Sequence, residues 1–258
     1  MASQEAAERA RWLKRYGHGV PVVARVFCFH HAGGTAAMYR GWASLLPPTI
    51  EVVAVQLPGR ADRLRERPFT EMASLVAVLA DVVDPLLDVP FVSYGHSMGA
   101  KLCWALSHRL RDRGQPTPAG LYLAGAAAPG WPEGRTDWNV PDEDLVEYVR
   151  ALGGTQPEVF AYPELVAALL PTLRADLTLV DTFQFQPTTP LDVPIRAFAG
   201  AADVEGSPER MRGWARQTNG PFTLESLPGG HFFDAAEQRR VTRVIADDFA
   251  EDRVTSSP

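Results

Sequence analysis

Sulfur is scarce in this chain: 258 residues hold two cysteines, Cys28 and Cys103. Each stands inside an apolar run, so both are expected as small core residues of a reduced cytosolic protein. Long apolar runs are missing as well. No stretch reaches membrane-spanning length, and the N-terminus lacks the apolar core of a signal peptide, which makes the cytoplasm the expected location. Positive charge is in deficit. A formal net charge of -6 argues against a nucleic-acid partner and for a soluble protein. Internal repeats and low-complexity linkers are absent. What is present is apolar residue: 46% of the chain is hydrophobic, enough for a large core, and the length suits one α/β domain with an insertion.

The most informative stretch is Phe91-Val92-Ser93-Tyr94-Gly95-His96-Ser97-Met98-Gly99-Ala100. Phe91 to Tyr94 reads as a buried parallel strand. Met98 to Arg111 reads as a helix, with Leu102, Cys103, Leu106 and Leu110 at helical spacing and Gly114 at its stop. Between them, Gly95-x-Ser97-x-Gly99 is a nucleophile elbow, in which a serine is raised on a strained turn. The two glycines are required because side chains there would collide with the strand and helix enclosing the turn. The helix N-terminus aims its free N–H groups at developing negative charge.

Around this point strands alternate with helices. Met1 to Gly17 reads as a frayed segment with a short helix docked by Trp12. Strands are expected at Ala24–Phe29, Glu51–Gln56, Leu121–Gly125, Pro194–Gly200 and Phe222–Leu227. Helices are expected near Tyr39 and Trp42, over Thr70–Leu87, at Arg210–Gln217 and over Asp234–Asp252. The alternation implies a mostly parallel, doubly wound sheet with right-handed crossovers. From Trp131 to Pro190 it stops. That block reads as all helical: Asp142–Leu152, then Glu164–Leu170 and Thr172–Phe183 separated by Pro171. A helical insertion there reads as a lid, and Trp131, Trp138, Phe160, Leu173, Leu177, Phe183 and Phe185 are candidates to line an acyl pocket.

Sites in such sheets lie beyond the carboxyl ends of strands. Ser97, Asp203 and His231 each follow a strand end, and Ser–Asp–His is the α/β-hydrolase order. A serine hydroxyl is hardly ionised near neutral pH and needs a base. His231, the only histidine after the elbow helix, is the candidate base, and Asp203 would fix its tautomer. Glu205 and Asp176 compete for the acid role, Asp176 from the lid and away from the strand ends. His96 lies in the elbow facing away from the required side. His30 and His31 read as loop residues bonded to backbone, and the spacing of His30, His31 and His96 is not that of a zinc motif. The oxyanion donors are expected to be the N–H groups of Met98 and Ala32, with Gly33 competing for the latter place. The Arg60, Arg63, Arg65, Arg67 cluster reads either as a patch for an acidic partner or as a solvated loop with Asp62 and Glu66 interleaved.

Trp12-Leu13, Phe29-His30-His31-Ala32-Gly33-Gly34, Trp42, Gln56-Leu57-Pro58-Gly59-Arg60 and Arg63 stand in the first third of the chain. With Gly95-His96-Ser97-Met98-Gly99-Ala100, Leu173-Arg174-Ala175-Asp176-Leu177, Asp203, Trp214 and Gly229-Gly230-His231-Phe232-Phe233, the sequence resembles the type II thioesterases of polyketide synthases and nonribosomal peptide synthetases. The resemblance implies an α/β-hydrolase fold over 1–258 with 131–190 as a helical lid. It implies a stand-alone hydrolase removing aberrant or stalled acyl groups from the phosphopantetheine arm of acyl or peptidyl carrier proteins. It places the catalytic serine, aspartate and histidine on Ser97, Asp203 and His231 and the oxyanion donors on Ala32 and Met98. It implies no cofactor and no metal, transient docking to the carrier, no nucleic acid or membrane partner, and a monomer. Docking to an acidic carrier would use the Arg60–Arg67 loop and Arg174. Two departures stand out: His30 where the family has proline, which is expected to reshape the pocket mouth, and Ala105 where it has glutamate. The rival on the same fold is a carboxylesterase or lipase acting on oxygen esters.

Overall fold

The computed structural model describes residues 2–131, 137–154, 157–186 and 188–255. A helix, α1 (Ala2–Trp12), leads into a strand, β1 (Leu13–Tyr16). Then come β2 (Ala24–Phe29), β3 (Ile50–Val55), α2 (Met72–Val83), β4 (Phe91–His96), α3 (Met98–Asp112) and β5 (Leu121–Ala124). The insertion carries α4 (Asp142–Leu152) and α5 (Pro163–Asp181). The chain closes with β6 (Ile195–Gly200), the single turn α6 (Pro208–Met211), β7 (Phe222–Leu227) and α7 (Ala235–Thr255).

The seven strands form one sheet in the order β1-β3-β2-β4-β5-β6-β7. β1 pairs antiparallel with β3, and every other pairing is parallel. β2 to β5 are buried along their whole length, which explains why they are mostly apolar rather than alternating. Alternate residues feed two cores. Phe27, Phe29, Val53 and Val55 pack with α2, α3 and Trp214, while Val26, Cys28, Val52 and Ala54 pack with Tyr39, Trp42 and α7. Both cysteines are free and buried, and burial pushes both thiols well up.

Two expectations need correction. β1 was not foreseen, because Lys14 and Arg15 break any apolar pattern. It exists because its backbone covers the β3 edge, while Trp12 is buried with the Arg63 guanidinium 3.9 Å over its ring. The helix expected at Tyr39 and Trp42 is present as a 3-10 helix, Ala36–Ser44. Pro171 does not divide the insertion: α5 runs through it as one helix. A mid-helix proline removes one i→i−4 hydrogen bond. Here it lies on the solvent side, and the next turns are anchored by buried Thr172, Ala175, Asp176 and Leu177.

Candidate active site

Ser97 sits between β4 and α3 with φ 55° and ψ -116°, one of two non-glycine residues with positive φ among those described. Such backbone persists only where its surroundings enforce it. A Cβ on Gly95 would overlap the backbone of Gly99, and one on Gly99 would overlap the Phe29 carbonyl. The elbow is therefore closed on both sides, and Ser97 N–H ties it to the Ala124 carbonyl at 2.8 Å.

The loops after β6 and β7 bring in the other two groups. Gly200 allows those loops to touch, since a Cβ there would overlap the Gly230 carbonyl. Ala201 N–H and Ala202 N–H donate to the carbonyls of Leu227 and Gly229 at 2.7 and 3.0 Å. His231 Nδ1 meets Asp203 Oδ2 at 3.0 Å with both side chains buried. Nδ1–H is then the donor, and Nε2 is left as the acceptor. The second oxygen of Asp203 accepts the Glu205 N–H at 2.8 Å, so the carboxylate is fixed at both ends. Ser97 and His231 line one cavity of about 420 Å³ under the insertion, and they also line a smaller one of about 60 Å³.

The loop after β2 supplies the opposite wall. Gly33 N–H donates to Asp176 Oδ2 at 2.8 Å and is thereby committed. Among the described residues, Ala32 N–H and Met98 N–H have no protein acceptor, and both residues line the smaller cavity with Ser97. Met98 is the first residue of α3, where backbone donors are free by construction.

Three imidazoles crowd this wall, all held neutral. His96 does not face away, as expected from the sequence. Its Nε2–H donates to the His231 backbone carbonyl at 2.6 Å, and Phe232 stacks on it at 9°. Burial, then the charge of His231, holds its pKa well below the usual histidine value. His31 is lowered to about 4, chiefly by burial, and donates from Nδ1 to the Ala32 carbonyl at 2.8 Å. His30 donates to the His31 carbonyl at 2.8 Å and is pushed well down by burial and by Arg60. It is buried and is absent from the lining of the large cavity. The described residues contain no cluster of three or more metal-ligating side chains.

Asp176 is not remote. From α5 it pairs with Arg60 through Nη1 at 2.6 Å and Nη2 at 2.8 Å, both side chains buried. Arg63 is also buried, holding Glu66 and the Gln56 carbonyl at 2.9 Å. Neither arginine is open to a partner; of the arginines in this loop, Arg65 and Arg67 are the exposed ones. Arg174 is spent inside the insertion, on the carbonyls of Trp138 and Val140 and on Asp142. Of the expected pocket aromatics and leucines, Phe160, Leu173 and Leu177 line the large cavity. Phe183 and Phe185 instead pack on Trp104 in the core.

Comparison with known proteins identifies the family. The thioesterase domain family matches residues 24–249. The gramicidin S biosynthesis protein GrsT of Aneurinibacillus migulanus is 36% identical over 86% of this chain and 88% of its own length. Thioesterase PikA5 of Streptomyces venezuelae is 30% identical over 92% of this chain and 84% of its own. Among solved structures, the RedJ thioesterase of the prodiginine pathway in Streptomyces coelicolor superposes with a TM-score of 0.84 at 37% identity. That match covers 88% of this chain and 91% of RedJ. The type II thioesterase BorB of the borrelidin cluster gives 0.83 at 34%, over 92% and 96%. No helix among the described residues is long and apolar enough to cross a membrane. The α/β-hydrolase sheet, the elbow and these relatives place the chain in the thioesterase family, as a type II thioesterase of nonribosomal peptide and polyketide biosynthesis.

Proposed function

We propose that the enzyme clears aberrant or stalled acyl groups from the phosphopantetheine arm of acyl or peptidyl carrier proteins, with Ser97 as nucleophile, His231 as base and Asp203 as its orienting acid. The Nδ1–Asp203 contact at 3.0 Å carries the reading, because it leaves His231 Nε2 as an acceptor in the cavities that the strained Ser97 also lines. The Ser97 hydroxyl gives its proton to Nε2 as its oxygen attacks the thioester carbon. The oxyanion is received by Ala32 N–H and Met98 N–H. Nε2–H then protonates the sulfur as the C–S bond breaks. A thiol of pKa near 8.5 leaves far more readily than an alkoxide. Water, deprotonated by the same nitrogen, attacks acyl-Ser97, and its proton returns to the serine oxygen as the acid is released. None of these steps calls on a cofactor.

The insertion at 131–190 acts as the lid. Its leucines and Phe160 make the large cavity apolar, which suits an acyl chain or the arm that delivers it. The test is a carrier protein loaded with short, branched and long acyl groups. Wild-type enzyme should release them faster than it cleaves matched nitrophenyl esters, and Ser97→Ala should release none. Faster cleavage of the oxygen esters would return the chain to the esterase reading.

A further inference from the structure

The oxyanion loop is held partly by its own hydrogen bonds and partly by the insertion. Around Ala32, two peptide planes are fixed separately. The His31 carbonyl accepts from Gly34 N–H at 3.0 Å and from His30 Nδ1–H at 2.8 Å. In a trans peptide this turns the Ala32 N–H the opposite way. The next plane has the Ala32 carbonyl on His31 Nδ1–H and the Gly33 N–H on Asp176. Gly33 has φ +73°, so nothing in its own backbone preference holds that plane.

Asp176 is held in turn. Its two oxygens take both terminal nitrogens of Arg60, whose remaining donors go to the carbonyls of Gly34 and Pro58 at 3.2 to 3.3 Å. One helical turn earlier, Thr172 donates to the Gly59 carbonyl at 2.5 Å. Leu173 lies against Gly33, and Leu177 lines the cavity beside Ala32 and Ser97. One face of α5 therefore grips both loops.

We infer that Asp176, locked by Arg60, is a positioning residue that sets the Ala32 N–H in the oxyanion hole, so that the hole is complete only while α5 is docked. The inference rests on the proposed role of Ala32. Asp176 touches no reacting atom. Its carboxylate aims the loop, and any movement of α5 away from the sheet removes the acceptor from Gly33 and loosens the donor next to it.

The test replaces the pair together, Arg60→Met with Asp176→Leu, so that no buried charge is stranded. Three readings are taken: the melting temperature, kcat and KM on an acyl-pantetheine thioester, and affinity for an alkyl boronic acid that mimics the tetrahedral intermediate. Loss of one oxyanion donor lowers kcat by about 100-fold or more. The folded double variant should show that loss with KM within about twofold, and boronate affinity should weaken by a like factor while a non-hydrolysable thioether analogue binds unchanged. Unchanged kcat and boronate affinity in a folded variant, with only the melting temperature moved, would overturn the inference. If the double variant has no cooperative melt, Asp176→Asn takes its place under the same criteria. Wild-type enzyme and Ser97→Ala are run beside it. Failure of wild type to bind the boronate more tightly than Ser97→Ala would sink the site reading itself, not merely the role of Asp176.

Discussion

Acidification should destabilise this protein well before its carboxylates are titrated. His30, His31, His96 and His108 are all held neutral in the folded state by burial. His31 and His108 are each lowered to about 4. His108 packs its ring on Trp104 at 4.4 Å, and neither of its nitrogens has a partner. An unfolded histidine titrates near 6.5. Between that value and the folded one, the unfolded chain binds a proton that the folded chain refuses, so stability falls as pH falls. From pH 7 to pH 5 the loss is about 2 kcal/mol for each group lowered to about 4, hence about 4 kcal/mol for His31 and His108 together. His30 and His96 act in the same sense. Domains hold only about 5–15 kcal/mol in all. The ion-paired carboxylates Asp62, Glu66 and Asp88, lowered by Lys14, Arg63 and Arg25, begin to lose their contribution only near their unfolded values, around pH 4. Urea unfolding followed by tryptophan fluorescence at pH 7, 6, 5.5 and 5 measures the effect. With a slope of about 2–3 kcal/mol per molar, the midpoint should drop by roughly 1.3–2 M, and His108→Phe should recover about 2 kcal/mol of the loss. A midpoint at pH 5 within about 0.3 M of that at pH 7 would refute the neutral-histidine argument.

Two further outcomes are expected. Asp203→Asn should lower kcat by about 10³–10⁴-fold by favouring the wrong imidazole tautomer, whereas Glu205→Gln should stay within about threefold; a crippled Glu205→Gln would move the acid role. Gly99→Ala places a methyl group in the Phe29 carbonyl and should cost more than about 3 kcal/mol, read as a lost or greatly lowered cooperative melt; a wild-type melt would show that the elbow can open.

The sheet was largely legible because mostly apolar stretches such as Ala24–Phe29 and alternating ones such as Phe222–Leu227 declare themselves through pattern and flanking turns. The Ser97 elbow was legible because its glycines are sterically forced. Less was visible where long-range pairing outweighs local pattern. Leu13–Tyr16 becomes a strand only because β3 offers an edge. Arg60 and Arg63 look solvated among acidic neighbours, yet the decisive partner of Arg60 lies 116 residues away. For the same reason Asp176, read as a lid residue away from the strand ends, gave no local sign of its bond to the Gly33 N–H. His96 illustrates the limit of local reading: its neighbours suggest it turns away, but its ring supports the backbone of His231.

The most direct test is to mix the enzyme with an acyl-pantetheine thioester, quench in acid during turnover, and weigh the protein and its peptides. The account predicts one acyl mass on the peptide containing Ser97, lost with time as free acid appears, and neither adduct nor turnover in Ser97→Ala. Sustained turnover by Ser97→Ala, or an acyl group found on another residue, would contradict it.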